Sequence, residues 1–337
     1  MHTVAVFSGG IGLGAYQAGA YEVLHQFPRL RPGWLLGSSV GAVNAALIAG
    51  NPPERRIEAL REFWSAHQNA ATPDGGPQGL SYLQNWMSAI EVRIFGANGY
   101  FRPRVRYPFE SFASLYDLAP MRARIERLVD FERLNSGETR LSVATTEIDT
   151  GDTVTFDSRH GDRIGIDHLV ASCGFLPEFA PVEIGGRLLG DGGLSANAPL
   201  EPVFAEPATD KRTVFVLDLF SRRGERPTDL AGALARKNDL MFGNQTWLRL
   251  QALQGAAAAR TTVSREDDRT VAAAASDIVY LSYDPVPDEA GSEKPYDFSR
   301  RSIEARWQAG VRDMQAALQQ LAKGIVRDED LTVIGRA

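Results

Sequence analysis

The chain has 337 residues, 44% of them hydrophobic, enough for one large α/β domain or for a main domain with an appendage. Its net charge of -6 and its lack of long Lys/Arg runs exclude nucleic acid as a default partner, because phosphate binding relies on clustered basic charge. A single cysteine, Cys173, excludes an intrachain disulfide, and five scattered histidines offer no zinc-ligand spacing, so no metal is expected.

The first predicted element is a buried parallel strand, "TVAVF" at 3–7, ended by "SGG". No charged leader or cleavage signal precedes it, and no apolar run reaches the roughly 18 residues a spanning helix needs. The expectation is a soluble, cytoplasmic chain whose contact with membranes is peripheral. "AYQAGAYEVLHQF" has helical spacing and is stopped by Pro28. "GWLLG" is a second strand, and "GAVNAALIAG" a helix ended by Gly50. Strand, Gly-rich turn and helix, repeated, predict parallel strands with right-handed crossovers.

Residues 54–68 form an amphipathic helix in this reading. Residues 70–115 mix Gly and Pro with Trp86, Met87, Ile90, Ile94, Phe95, Tyr100 and Phe101, which predicts an insertion rather than a core element. It is either a packed irregular loop or an apolar cap over a lipid-binding cleft. "MRARIERLVDFERLN" is helical, "TRLSVATTEIDTG" and "DTVTFD" make a hairpin around Gly151 and Asp152, and "IDHLVASCGF" returns to helix. "RLLGDGG" ends a strand in a turn, and "RTVFVLDLF" is another buried strand. Helical stretches near 228–258 and 300–322 flank a low-complexity "VAAAAS" and the strand "DIVYLSY".

The chemistry concentrates in three turns. A serine hydroxyl at its free pKa is a poor nucleophile, so it needs a geometry that exposes it and a neighbour that takes its proton. "GSSVG", Gly37 to Gly41, between a strand and a helix, supplies the first need, with Ser39 at the sharp central position and Ser38 beside it. The helix that opens there aims its dipole and free amides at the serine. "SGGIGLG" fits a loose dinucleotide pattern through Gly10, Gly12 and Ala15, yet the second strand ends without the carboxylate that would hold a ribose. Beside a nucleophile, such a loop serves better as an oxyanion hole.

The base is found by order along the chain. In the α/β-hydrolase plan several strands precede the serine, and acid and histidine follow it. Here one strand-helix unit precedes Ser39, and the conspicuous "GDGG" follows the last histidine, His168. Acids earlier in the chain could pair with His67, His160 or His168, but none sits in a comparable turn. Asp191 remains, at the end of an apolar strand with Gly192 and Gly193 behind it.

Together these residues resemble the patatin-like phospholipases. The likeness rests on the loop of Gly9, Gly10, Gly12 and Gly14, on "GSSVG", on "ASCGFLPEFAP" from Ala171 and on "DGGLSANAP" with Asp191, in that order. The tail segments "VLDLFSRRG" and "YDFSRRSIEARWQAG" are similar to the C-terminal region of a bacterial subgroup.

The resemblance implies a three-layer α/β/α fold with a mainly parallel central sheet. It implies a catalytic domain at 1–220, with 70–115 as a cap insertion, and a helical and strand extension at 221–337 packed on it. It further implies a Ser39–Asp191 dyad without histidine, an acyl-enzyme released by water, and no cofactor. The amides of Gly10, Ile11 and Gly12, with Val40, would hold the oxyanion in the loop that Gly9 opens. Gly37, Gly41, Gly192 and Gly193 would shape the two turns.

Two positions depart from the family: its third consecutive glycine is Ile11 here, and its usual Arg or Lys is Leu13. A β-branched residue does not accept positive φ cheaply, although the Ile11 amide can still donate. The implied substrate is a phospholipid, lysophospholipid or simpler acyl ester; oligomeric state, head group and chain length stay open. Acyl transfer to a carrier is a second reading, although related transferases carry histidine where Ser38 stands. A lipid-binding scaffold without turnover is a third.

Overall fold

A computed structural model describes residues 2–65, 78–104, 114–206, 212–266, 276–285, 291–323 and 331–334. The N-terminal half holds β1 (His2–Phe7), α1 (Ala15–His25), β2 (Trp34–Ser38), α2 (Val40–Ala49), α3 (Arg56–Trp64), α4 (Gln78–Phe95), β3 (Arg102–Pro103), β4 (Tyr116–Asp117), α5 (Ala119–Leu128), α6 (Phe131–Leu134), β5 (Arg140–Glu147) and β6 (Thr153–Asp157). The remainder holds α7 (Ile166–Ser172), β7 (Val182–Ile184), β8 (Arg187–Asp191), α8 (Glu201–Ala205), β9 (Arg212–Asp218), α9 (Leu230–Glu266), β10 (Ser276–Ser282), α10 (Arg300–Ala322) and β11 (Leu331–Ile334).

The central sheet is ordered β11-β10-β9-β1-β2-β5-β8-β7, with β6 also on β5. From β11 to β5 every pairing is parallel. β6, β8 and β7 are antiparallel additions at one end.

Alternation along the strands makes the layers. Ala5, Phe7, Leu35, Phe215, Leu217 and Val279 join the core built with α1, α2 and α10. Val4, Val6, Leu36, Val214, Val216 and Ile278 point the other way, toward Val203 of α8 and Leu250 of α9. Strands buried on both faces must be apolar at nearly every position, which is why these runs are legible as strands. The fold is the mainly parallel three-layer α/β/α arrangement.

α1 and α10 lie unusually close: a Cβ on Gly19 would sit 2.0 Å from the Trp307 carbonyl oxygen, and one on Gly310 1.9 Å from that of Tyr16. Beside that contact the Tyr16 hydroxyl donates to Asp313 at 2.9 Å.

Several expected elements are corrected. The helix expected from 54 begins at Arg56, after a 3₁₀ turn at Pro53–Arg55, and its predicted end at 66–68 lies outside the described residues. The 70–115 stretch holds an 18-residue helix, α4, whose Ala89 and Val92 are buried, and Tyr100 and Phe101 belong to the main core. Its described part is therefore core as much as covering; 70–77 and 105–113 lie outside the described residues. The "VAAAAS" run lies outside them too, except Ser276, which opens β10. No helix among the described residues is long and apolar enough to cross a membrane.

Candidate active site

The register of β5 explains how two distant turns meet. β6 occupies one edge of β5 at 142–146. On the other edge β2 pairs as far as Ser38 with Ala144, and β8 takes over at the next residue, Asp191 with Thr145. β2 runs parallel to β5 and β8 antiparallel, so their C-terminal ends meet head to head. The residue that follows β2 is Ser39; the residue that ends β8 is Asp191.

Both chains must bend away at the junction. Ser39 does so at φ 56° and ψ -131°, a left-handed conformation costly to a residue with a Cβ and held only by its surroundings. Its amide donates to the Ser172 hydroxyl at 2.9 Å, and that hydroxyl donates to the Ala144 carbonyl at 2.7 Å. The glycines permit the crowding: a Cβ on Gly37 would lie 2.4 Å from the Ala42 nitrogen, one on Gly41 2.3 Å from the Phe7 oxygen, and one on Gly192 2.5 Å from the Ala144 oxygen.

Asp191 is buried, its carboxylate accepts from the Gly193 amide at 2.7 Å, and it lines the same cavity as Ser39. Burial raises its pKa from 3.8 to about 7, against the influence of the Ser39 hydroxyl and the Gly193 amide, which favour the charged form. Near neutrality such a carboxylate is close to balanced between proton acceptor and proton donor.

The Gly-rich loop sits beside this pair. Gly9 donates to the Asn197 carbonyl at 3.1 Å and Leu13 to the Gly10 carbonyl at 3.0 Å. The amides of Ile11 and of Val40 open a 3₁₀ turn and α2, where no intrahelical acceptor exists. Ile11 does adopt positive φ, at 50°. The strain of order 1–3 kcal/mol expected there is held by neighbours on both sides. One of them is the fully buried Arg306, which donates to the Gly12 carbonyl at 3.0 Å and to the Asp297 and Lys294 carbonyls at 2.8 and 2.7 Å.

Gly9, Gly10, Ile11, Ser39, Val40, Asp191 and Gly193 all line one cavity of about 390 Å³. Gly12 is not among the lining residues, and a Cβ there would lie 2.7 Å from the Pro295 oxygen. The cavity walls are largely aromatic, with Phe63 edge-on to Trp64 and to Tyr100 at 5.3 Å in each case. Polar groups also line it: Lys237, Glu178, and Arg93 paired with Glu293 at 2.6 Å. Trp86 and Phe95, offered by the sequence as cap residues, are exposed and are not part of the lining.

No histidine of the described residues lines the cavity. His160 is exposed and faces Glu206 at 3.1 Å, His168 packs on Phe156 and accepts from the Gly165 amide, and His67 lies outside the described residues. No cluster of metal-ligating side chains occurs among the described residues either.

Three contributors escaped sequence reasoning although all lie inside quoted motifs. Ser172 carries the nucleophile turn, and Asn197 holds Gly9, with its side-chain amide 3.4 Å from the Gly9 oxygen. Cys173 lines the cavity together with Ser39 and Asp191; burial and then the Asp191 charge push its thiol well up, so it stays neutral.

The family model for patatin-like phospholipases matches residues 5–204, and a second model, described as patatin phospholipase, matches residues 243–327. The chain belongs to the patatin-like phospholipase family, a family of lipid acyl hydrolases. Similar solved structures include VipD from Legionella pneumophila, 12% identical over 99% of this chain and 71% of that one, with a TM-score of 0.43. Full-length ExoU of Pseudomonas aeruginosa, in complex with SpcU, is 13% identical over 96% of this chain, with a TM-score of 0.40. The chain spans 52% of the ExoU length. No curated protein matches it in sequence.

Proposed function

We propose that the protein is a serine acyl hydrolase that cleaves lipid acyl esters through Ser39 and Asp191. In this reading Asp191 takes the Ser39 proton as the Ser39 oxygen attacks the ester carbonyl, and the carbonyl oxygen gains negative charge. The amides of Gly10, Ile11 and Val40 stabilise that oxyanion; one such donor is worth about 3–4 kcal/mol. As the tetrahedral intermediate collapses, the carbon–oxygen bond to the alcohol breaks and Asp191 returns the proton to the departing alcohol. Water then repeats the sequence on the acyl-enzyme, releasing the fatty acid and restoring the Ser39 hydroxyl.

The observation that carries this reading is the junction on β5 that brings Ser39 and the buried Asp191 carboxylate together at one apolar cavity. An aromatic-walled space next to the nucleophile suits an acyl chain and disfavours water. Residues 1–220 carry the reacting groups in this account. Residues 221–337 buttress them, through Arg306 on the Gly12 carbonyl and through α9 as one cavity wall.

Hydrolysis of p-nitrophenyl acyl esters and of phospholipids, with Ser39→Ala as blank, tests the proposal. Ser39→Ala and Asp191→Asn should each lose activity in a folded protein. Full activity in either variant removes the assignment.

A further inference from the structure

The outward face of α9 departs from what a helix on a protein surface normally presents. Leu230, Leu234, Met241 and Leu248 recur at intervals of four and seven residues and so fall on one stripe. Their exposures are 75, 42, 52 and 62%. At 1.5 Å per residue the stripe is about 27 Å long. The opposite face is apolar as well, with Leu250 buried in the second core and Leu253 packed against it, so packing alone does not call for a greasy exterior.

Two further observations say what covers the stripe. Leu234, Lys237, Asn238 and Met241 line the cavity that holds Ser39, so the exposed apolar face runs into the mouth of the site. The segment 222–237 also carries Arg222, Arg223, Arg226, Arg236 and Lys237 against Glu225 and Asp229, a net charge of +3 on a chain of -6. The nearby Asp239 adds no free charge, because it pairs with Lys294 at 2.8 Å. An apolar stripe flanked by cations is the pattern of a helix that lies in a lipid–water interface and favours anionic head groups.

We infer that the stretch from Arg222 to Leu248 docks the protein on an anionic bilayer surface, with α9 in the interface plane and the cavity mouth facing the lipid. The inference deepens the hydrolase reading and rests on it for the identity of the cavity; its test does not depend on turnover. The full chain carrying Ser39→Ala, which leaves vesicles intact, is sedimented with phosphatidylcholine vesicles with and without phosphatidylglycerol. Binding is expected to the mixed vesicles, to be weak to pure phosphatidylcholine, and to fall with added salt.

Arg223→Glu with Arg226→Glu should lower partitioning at least about tenfold, and Leu230→Ser with Leu248→Ser about tenfold. None of these four residues lines the cavity, so the same pairs in an otherwise unmodified chain should hydrolyse a soluble short-chain ester at the parent rate. Absence of binding to mixed vesicles, or binding by both variant pairs equal to the parent, overturns the inference. So does a parent dimer that the Leu230→Ser and Leu248→Ser pair converts to monomer, since the stripe would then be a self-interface. Vesicle binding with this pattern in a chain that hydrolyses no ester would sink the hydrolase reading and leave the docking surface standing.

Discussion

Replacing Asp191 by asparagine should abolish hydrolysis and, at the same time, stabilise the fold at neutral and alkaline pH. Burial lifts this carboxyl from 3.8 to about 7. At ~1.4 kcal/mol per pH unit, keeping it ionised costs the folded protein about 4 kcal/mol. The folded state retains a proton that the unfolded chain has already lost, so stability falls as pH rises from about 4 to about 7 and then levels. Asparagine stays neutral throughout, has nearly the same shape, and still accepts from the Gly193 amide. Denaturant unfolding of both proteins between pH 4 and pH 8 would expose the difference. The variant should gain on the parent as pH rises, by up to about 4 kcal/mol; a gap that does not change with pH would refute the reasoning.

Four further outcomes are expected. The kcat/KM for a soluble ester should climb with pH and level above about 7, as Asp191 ionises; a flat profile over pH 5 to 8 counts against Asp191 as base. Ser172→Ala removes the acceptor of the Ser39 amide and should lower kcat by about 10- to 100-fold with KM little changed, measured in a protein of parental circular dichroism. Arg306→Met strips donors from three buried carbonyls and should cost about 3 kcal/mol in denaturant unfolding, with a lower kcat in the protein that folds. Met121→Trp adds bulk to the cavity wall and should penalise long-chain esters more than short ones. Trp86→Ser with Phe95→Ser, outside the cavity, should leave that ratio unchanged.

Strands buried on both faces are legible in the sequence because nothing but apolar residues fits there: β1, β2, β9 and β10 read directly from "TVAVF", "GWLLG", "RTVFVLDLF" and "DIVYLSY". The hairpin of β5 and β6 reads from its Gly151–Asp152 turn. Short edge strands are not legible. β7 has three residues and β11 four, too few for alternation to register.

α4 hides because Gly and Pro flank it and several of its large apolar residues face outward, leaving small Ala89 and Val92 to mark the inner face. At the site, Ser39 and Asp191 are legible as turn residues, since glycines surround each. That the two turns meet is a matter of register along one edge of β5, and local composition carries no trace of it. Ser172, Cys173 and Asn197 share this invisibility: each acts through a contact formed only after β2, β5 and β8 are aligned.

The most direct test is the pH dependence of labelling by a fluorophosphonate, with the adduct located by peptide mass spectrometry. The account predicts a single adduct on Ser39, formed faster as pH rises toward about 7 in the parent and nearly lost in Asp191→Asn. An adduct on Ser38 or another residue, or equal labelling rates in the two proteins, would contradict it.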